Sequence, residues 1–350
     1  MVHTTLKTRE RKTAVLRKGT FGCLAGIPTI NVTQGCMLGC VYCYARGYPE
    51  LPNPDTVVLF SNLVRRLPGE LDRKRNPVSY VLFNTACDSF QPHPDILDTS
   101  VRLMEILLER NIGISFLTKG VIPNRFFDML SGARRPASRV SARIGMVSVS
   151  DDYQQTFEPH AATPAQRLEN IERLMKAGIQ AEVRIDPVIP FVTDSERDFD
   201  LLFAGLSARG VTRASISTLH LRPAIHAQFV ERLPSLSTRL IESLFQGSDW
   251  RTVGSSTRSK LVSRLVRKKN IYTGRGTCRR VRHTPYGVRL QESRSPRGYL
   301  FGASGYSVER LCTARADEPA AGRPRLTNGK RHASGGHRPM KDLFLQHKNH

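Results

Sequence analysis

Nowhere in the 350 residues do eighteen apolar side chains run together, and the opening stretch MVHTTLKTRERKTAVLRKGT holds no apolar core of signal-peptide length. The expectation from these two absences is a cytoplasmic protein with no membrane association. A disulfide framework is missing as well. The seven cysteines are odd in number and accompany no secretion signal, so reduced thiols serving metal or redox chemistry are expected. No internal repeat is present. Acidic residues are scarce at one end: residues 251–350 hold 23 Lys and Arg against 5 Asp and Glu, which accounts for 18 of the formal charge of +23. An excess so placed suits a polyanion, nucleic acid before an anionic membrane surface, or else simply a solvated segment.

What is present in the middle of the chain is an alternation of short β-branched or aromatic runs with helix-period segments. VSYVLFN (78–84), IGISFLT (112–118), ARIGMVSVS (142–150), IQAEVRI (179–185) and ASIST (214–218) read as strands, preceded by one near PTINV. Leu97, Val101, Met104 and Leu108 recur at spacings that line one helix face. A second helix begins with Thr163 as N-cap, Pro164 in the first turn and Gln166 closing a capping box, then sets Leu168, Ile171 and Met175 on one face before Gly178. About six β/α units follow, and the fold class expected is α/β: a partial (βα)6 TIM-like barrel with a basic, partly disordered C-terminal tail. The expected division is a basic N-terminal segment over 1–27, the barrel core over 28–225 and the basic extension over 226–350. The run ADEPAAGRPRLTNGKRHASGGHRP near the end is rich in Gly, Pro and Arg and reads as disordered.

Catalytic groups of such a fold sit at the carboxyl ends of its strands. There, after the first core strand, TQGCMLGCVYCYARGY places Cys36, Cys40 and Cys43 within eight residues. Structural zinc wants four ligands, and the next thiol, Cys23, lies thirteen residues upstream and outside any paired knuckle. A ferredoxin cluster also takes four thiolates. Three thiolates at C-x3-C-x2-C leave one iron of a four-iron, four-sulfur (4Fe-4S) cluster without a protein ligand, open to a small molecule that the cluster must bind and reduce.

The run GCMLGCVYCYAR resembles the signature of radical S-adenosylmethionine (radical SAM) enzymes. That resemblance implies a 4Fe-4S cluster on Cys36, Cys40 and Cys43, with S-adenosylmethionine (SAM) chelating the open iron. It also implies an external one-electron reductant of flavodoxin or ferredoxin type. In this family SAM is cleaved to a 5′-deoxyadenosyl radical that abstracts hydrogen from the substrate. Over about residues 30–225 the chain further resembles the spore photoproduct lyase and DNA-repair-photolyase-like branch. The motifs that carry this likeness are QGCMLGCVYCY, FNTACDS, FLTK, VSVS followed by FEP, QRL…MKAG and DPVIP.

Carried over residue by residue, the branch implies that Cys87 returns a hydrogen atom to the product radical and that Tyr42 relays the radical onward. Lys119 would meet the methionyl carboxylate, Ser150 the ribose hydroxyls, Thr85 and Ser89 the amino group, and His220 would line the substrate pocket. Residues 226–350 match no run of the lyase, and the lyase carries a longer segment before its cysteines. The chemistry is therefore better supported than the substrate. One substrate class is a nucleic-acid lesion or modified base in DNA or RNA, held through the basic tail. The alternative is a small nucleoside or sugar that is decarboxylated, epimerised or rearranged. A third reading is an iron-sulfur nucleic-acid-binding protein without enzymatic activity. Cys278 and Cys312 lack CxxC partners and read as incidental.

Overall fold

The computed structural model of the protein describes residues 4–19, 24–48, 51, 53, 55–131, 137–252, 258–267 and 289–292. The Gly- and Pro-rich stretch near the C-terminus lies outside these residues, as do Cys23, Cys278 and Cys312. Chain order begins with β1 (Thr5–Arg9), β2 (Arg17–Lys18), β3 (Pro28–Ile30), β4 (Thr33–Gln34), β5 (Thr56–Phe60) and α1 (Leu63–Asp72). It continues through β6 (Tyr80–Phe83), α2 (Pro94–Glu109), β7 (Gly113–Thr118), α3 (Asn124–Leu130), β8 (Val140–Gly145), α4 (Asp151–Phe157) and α5 (Pro164–Lys176). Next come β9 (Glu182–Val188), α6 (Glu196–Ser207), β10 (Arg213–Thr218), β11 (His220–Leu221), α7 (Pro223–Arg232) and α8 (Ser235–Ser243). The short strands β12 (Arg251–Thr252), β13 (Arg258–Leu261) and β14 (Arg289–Glu292) complete it.

The main sheet runs β14-β10-β9-β8-β7-β6-β3-β2, and six strands in sequence order, β3 and β6 to β10, are parallel neighbours. These are the six strands read from the sequence. Right-handed crossovers can return each strand beside the last only if a helix covers the outer face, and that dictates the (βα)6 partial barrel. The sheet is open: β2 runs antiparallel at one edge and β14 parallel at the other. Because helices cover one face and the barrel interior the other, central strands are apolar with little alternation, as in β7, where only Leu117 is exposed.

Helix faces settle the packing. On α2 the spacing read from sequence buries Val101, Met104 and Leu108, joined by Ile96, Leu103 and Leu107. Outside β7, Phe90, Phe116 and Phe126 meet edge to face, with ring centroids 5.2 to 5.7 Å apart. The capping box of α5 forms as its sequence requires, Thr163 accepting from Gln166 N and the Gln166 side chain accepting from Thr163 N. Its buried face is turned from the expected one. Arg167, Asn170, Ile171 and Leu174 point inward, while Leu168 and Met175 pack at the margin. Two polar residues take the inner positions because each has buried partners: Asn170 bonds the backbone of Gly120 and Ile122, and Arg167 that of Ala162 and Gly145.

Structure also extends past both expected boundaries of the core. β1 pairs in parallel with β5, and Glu70 on α1 accepts the backbone N–H of Val15 and Leu16, at 2.7 and 3.0 Å, which ties the N-terminal segment down. Beyond residue 225, Phe229, Ile241, Phe245 and Val262 join the same apolar core. Among the described residues no helix is long and apolar enough to cross a membrane.

Replacing Thr163 by Ala deletes the hydroxyl that satisfies an otherwise orphaned N–H and should lower unfolding free energy by about 1 kcal/mol. Urea denaturation should show a lower midpoint at unchanged m-value, and an unshifted midpoint would mean that tertiary packing alone positions α5.

Candidate active site

The cysteine loop leaves β4 through Gly35, at φ +85°, and turns again at Gly39, φ +65°. Both positions are closed to a side chain. A Cβ on Gly35 would stand 2.9 Å from Thr56 O, and one on Gly39 would stand 3.1 Å from the His160 ring. Three elements then pin the loop. From the β6–α2 connection, Gln91 Oε1 accepts Met37 N at 2.8 Å. From the end of α4, Phe157 O accepts Val41 N at 3.0 Å and His160 N donates to Leu38 O at 3.2 Å. From α7, Gln228 Nε2 donates to Cys43 O at 3.2 Å.

Cys36, Cys40 and Cys43 are all free thiols, partly buried. Burial, followed by the charge of Asp88 and of the neighbouring cysteines, pushes Cys36 well up; burial and then Glu158 push Cys40 up to about 12. Buried thiols such as Cys36 and Cys40, whose ionisation is opposed, become stable thiolates only around a cation, so the three-cysteine donor set fits an iron-sulfur cluster. Among the described residues no three His, Cys, Asp or Glu are grouped to hold a single metal ion. A four-iron cluster takes its thiolates at separate irons.

Beside this loop a carboxylate lies at the bottom of the barrel mouth. Glu158 is fully buried and pairs with Lys119 Nζ at 3.1 Å and with the Arg167 guanidinium, and it accepts a hydrogen bond from the Tyr42 hydroxyl. Burial pushes its carboxyl up, but Lys119 and Arg167 outweigh that and hold it at about 2. Burial, and then the Glu158 charge, push the Tyr42 phenol well up, so it remains a donor. Two cations on one carboxylate leave a surplus positive charge in a desolvated pocket next to Cys40, which suits the carboxylate of a zwitterionic cofactor such as SAM. Lys119 reaches inward across β8. Its Nζ also donates to Asp186 O at 3.3 Å and lies 5.3 Å over the Tyr42 ring. Gly145 permits this, since a Cβ there would fall 2.8 Å from Lys119 Cγ.

The β6–α2 loop carries Cys87. Asn84, with φ +54°, bends it; its Oδ1 lies 3.1 Å from Cys87 Sγ and accepts Val32 N at 2.8 Å. Asn31 Oδ1 accepts Ala86 N at 3.0 Å and lies 3.9 Å from Cys87 Sγ. Burial pushes the Cys87 thiol up to about 11, which keeps it an S–H at neutral pH. Asp88 fastens the loop to β7: its carboxylate accepts Phe90 N, the Thr118 hydroxyl and Lys119 N at 2.7 to 2.8 Å. Farther across the interior face, Arg143 pairs with Glu182 at 3.0 Å and Arg184 with Asp186 at 2.8 Å.

The remaining expected residues divide. Thr85 is half-buried on the Cys87 loop, and its carbonyl accepts the Tyr44 hydroxyl at 2.6 Å. Ser89 is fully buried beneath that loop, where its hydroxyl accepts Asn84 Nδ2 at 2.8 Å, so it supports the loop instead of facing a cofactor. Ser150 serves as N-cap of α4, accepting Tyr153 N at 3.3 Å, and its O–H remains able to donate. His220 opens β11 opposite Leu261 of β13. Tyr42, read as the relay onward from Cys87, has its hydroxyl on Glu158, whereas Tyr44 is hydrogen-bonded to the Cys87 loop. Glu158, Arg167, Asp88, Asn31 and Tyr44 were not assigned from sequence. The signal available was that FEP, QGCMLGCVYCY, FNTACDS and QRL hold Glu158, Tyr44, Asp88 and Arg167 inside motifs already quoted.

The fold and the three-cysteine loop define a class of cluster-bearing (βα)6 barrels. Residues 30–204 match the Radical SAM superfamily, and the chain belongs to it. Members of this superfamily use a 4Fe-4S cluster and SAM. The chain is similar to an uncharacterised protein of Mycobacterium tuberculosis, 28% identical over 209 residues, which make up 58% of this chain and 61% of that protein. It is also similar to the radical SAM Nα-GlyT isomerase of Pseudomonas phage M6, 24% identical over 202 residues, 57% of this chain and 40% of that one. The chain thus spans about three fifths, or less, of the length of the curated relatives it matches. Among solved structures, a cysteine-to-serine variant of spore photoproduct lyase superposes with a TM-score of 0.62 at 15% identity, over 83% of both chains. A second variant of that lyase, with bound AdoMet and dinucleoside spore photoproduct, gives 0.61 at 14% identity, over 83% of this chain and 82% of that one. The fold is that of spore photoproduct lyase.

Glu158→Gln would leave Lys119 and Arg167 buried without an anion, at a cost of about 3–5 kcal/mol by denaturant titration. Since the folded carboxyl is held at about 2 against 4.5 when unfolded, its stabilisation is complete above pH 4.5 and disappears as pH falls toward 2. Cluster-free wild type should lose stability through that window, and the Gln variant should lose markedly less there. Equal acid sensitivity of the two would remove Glu158 from this role.

Proposed function

We propose that the chain is a radical SAM enzyme acting on a nucleic-acid lesion or modified base, with Cys87 returning the hydrogen atom that completes the reaction. When bound, the cluster and SAM supply a 5′-deoxyadenosyl radical on receipt of an electron from a flavodoxin- or ferredoxin-type reductant. In this reading Cys36, Cys40 and Cys43 hold the cluster. Lys119, with Glu158 and Arg167 behind it, receives the SAM carboxylate. Thr85 and the free O–H of Ser150 bond the rest of SAM.

The observation that carries the proposal is the state of Cys87. It is a protonated thiol on the loop at the carboxyl end of β6, aimed by two asparagines, and a weak S–H bond at that position suits hydrogen-atom return to a carbon radical. Tyr44 is the better relay from it. Its hydroxyl sits on the Thr85 carbonyl of the same loop, while Tyr42 is engaged with Glu158. For the substrate, support comes from the fold shared with spore photoproduct lyase and from the excess of basic residues in 251–350, a polyanion-binding composition. The isomerase among the relatives favours a second reading, rearrangement of a nucleoside without loss of a fragment. The first reading is lyase-type carbon–carbon bond chemistry, which the resemblance to spore photoproduct lyase implies.

Protein reconstituted without oxygen should bind about four irons and, once reduced, release 5′-deoxyadenosine; Cys→Ala at 36, 40 or 43 should abolish both. Cys87→Ala should keep SAM cleavage yet divert the product radical to side products. Tyr44→Phe should slow turnover more than Tyr42→Phe at equal iron content. In deuterated water the wild type should place deuterium at the quenched carbon. An unaltered product distribution in Cys87→Ala would reduce the cysteine to packing and end the lyase-like reading.

A further inference from the structure

The N-terminal segment, which the sequence offers only as a basic stretch, brings four arginines toward Cys87. Arg9 closes β1, Arg11 follows it, Arg17 opens β2 and Arg66 lies on α1. Arg11 is the centre of the group and is only 7% exposed. Its guanidinium lies 3.9 Å over the Phe60 ring, and its backbone N–H donates to Asn62 Oδ1 at 3.0 Å. One Nη donates to the carbonyl of Asn31 at 2.8 Å. Asn31 is the residue whose side chain holds Ala86 and faces Cys87, so a single asparagine joins Arg11 to the Cys87 loop.

What Arg9, Arg11 and Arg66 lack is an anion. Arg9, Arg11 and Arg66 donate to neutral oxygens, those of the Gln34 side chain, the Asn31 carbonyl and the Arg11 carbonyl. Among the described residues no carboxylate pairs with any of these three. The Arg11 Nε is buried and has no hydrogen-bond partner. Burial and then Arg17 pull Arg11 down to about 10, with Arg66 and Arg9 adding to the effect and Cys87 opposing it. Burying a guanidinium among others with an unpaired donor is unfavourable unless a charge of opposite sign completes it. Planar, forked donors match the oxygens of a phosphate in particular. Arg9 and Arg17 are exposed, so a ligand can reach the group from solvent.

We propose that Arg9 and Arg11, which share the Phe60 ring, bind a phosphate group of the substrate and so place the adjoining carbon skeleton at Cys87. The proposal rests on the reading of Cys87 as the residue that meets the product radical. The phosphate has two sources, a phosphodiester of a polynucleotide or the terminal phosphate of a nucleotide-sized molecule.

The test uses the full chain with its cluster reconstituted and SAM present, titrated calorimetrically with four probes. These are inorganic phosphate, thymidine 5′-phosphate, a thymidine dinucleotide and the same dinucleotide with a neutral methylphosphonate link. Wild type should bind the phosphodiester at least about tenfold more tightly than the neutral analogue, the scale of one or two charged hydrogen bonds. The double variant Arg9→Ala/Arg11→Lys should lose that preference, and its iron content checks that it is folded. Arg11→Lys, which keeps the charge but not the fork, should lose part of it. Arginine-dependent binding of thymidine 5′-phosphate or inorganic phosphate, without any preference for the dinucleotide, would uphold the phosphate site while overturning the nucleic-acid reading. A phosphodiester preference that survives in the double variant, or the absence of arginine dependence for every phosphate probe, overturns the site.

Discussion

A fully buried carboxylate shared by two cations and a phenol holds the catalytic end of this barrel together. Glu158 ends α4, Lys119 ends β7, Arg167 opens α5 and Tyr42 belongs to the cysteine loop, so one side chain ties four separate stretches of chain. Isolated in a low-dielectric pocket, any of these charges would cost several kcal/mol, and their mutual pairing is what makes the arrangement tolerable. The same pairing explains why α5 turns Arg167 inward in place of Leu168, and why β8 has glycine at 145, where any side chain would press on Lys119.

Around that centre the active-site loops are fixed chiefly by side-chain amides and by one further carboxylate. Gln91 bonds Met37 N, the Thr33 hydroxyl and Asp88 O, each at 2.8 or 2.9 Å, which locks the cysteine loop to the Cys87 loop. Asp88 then locks the Cys87 loop to β7. Such pins matter because cluster ligands and reacting groups require positions held to fractions of an ångström. Loops fastened only by their own turns would not supply that.

Much of the fold was legible in the residues. Each of the six parallel strands lies in or overlaps a run marked in the sequence, α2 buries most of the face its periodicity dictates and α5 begins at its capping box, because strand and helix patterns are local. Less was legible at the two ends. The segment Thr5–Arg9 is a strand only through its pairing with β5, and the basic Arg9 and Arg11 gave no hint that Phe60 and Asn31 would receive them. Residues 226–350 read as an extension, yet Phe229, Ile241 and Phe245 belong to the common core.

By itself the sequence determined the three-thiol loop, since Cys36, Cys40 and Cys43 and the glycines that bend it, Gly35 and Gly39, lie within one short stretch. It determined also the succession of β/α units, which follows from apolar periods of two and of 3.6. Tertiary structure alone decided which polar residues meet. Tyr42 and Glu158 meet across 116 residues of chain, and Tyr44 reaches Thr85 across 41. A polar residue in a loop has no period to betray its partner. Only burial, which makes each unpaired charge and donor costly, selects the few arrangements in which most of them are satisfied.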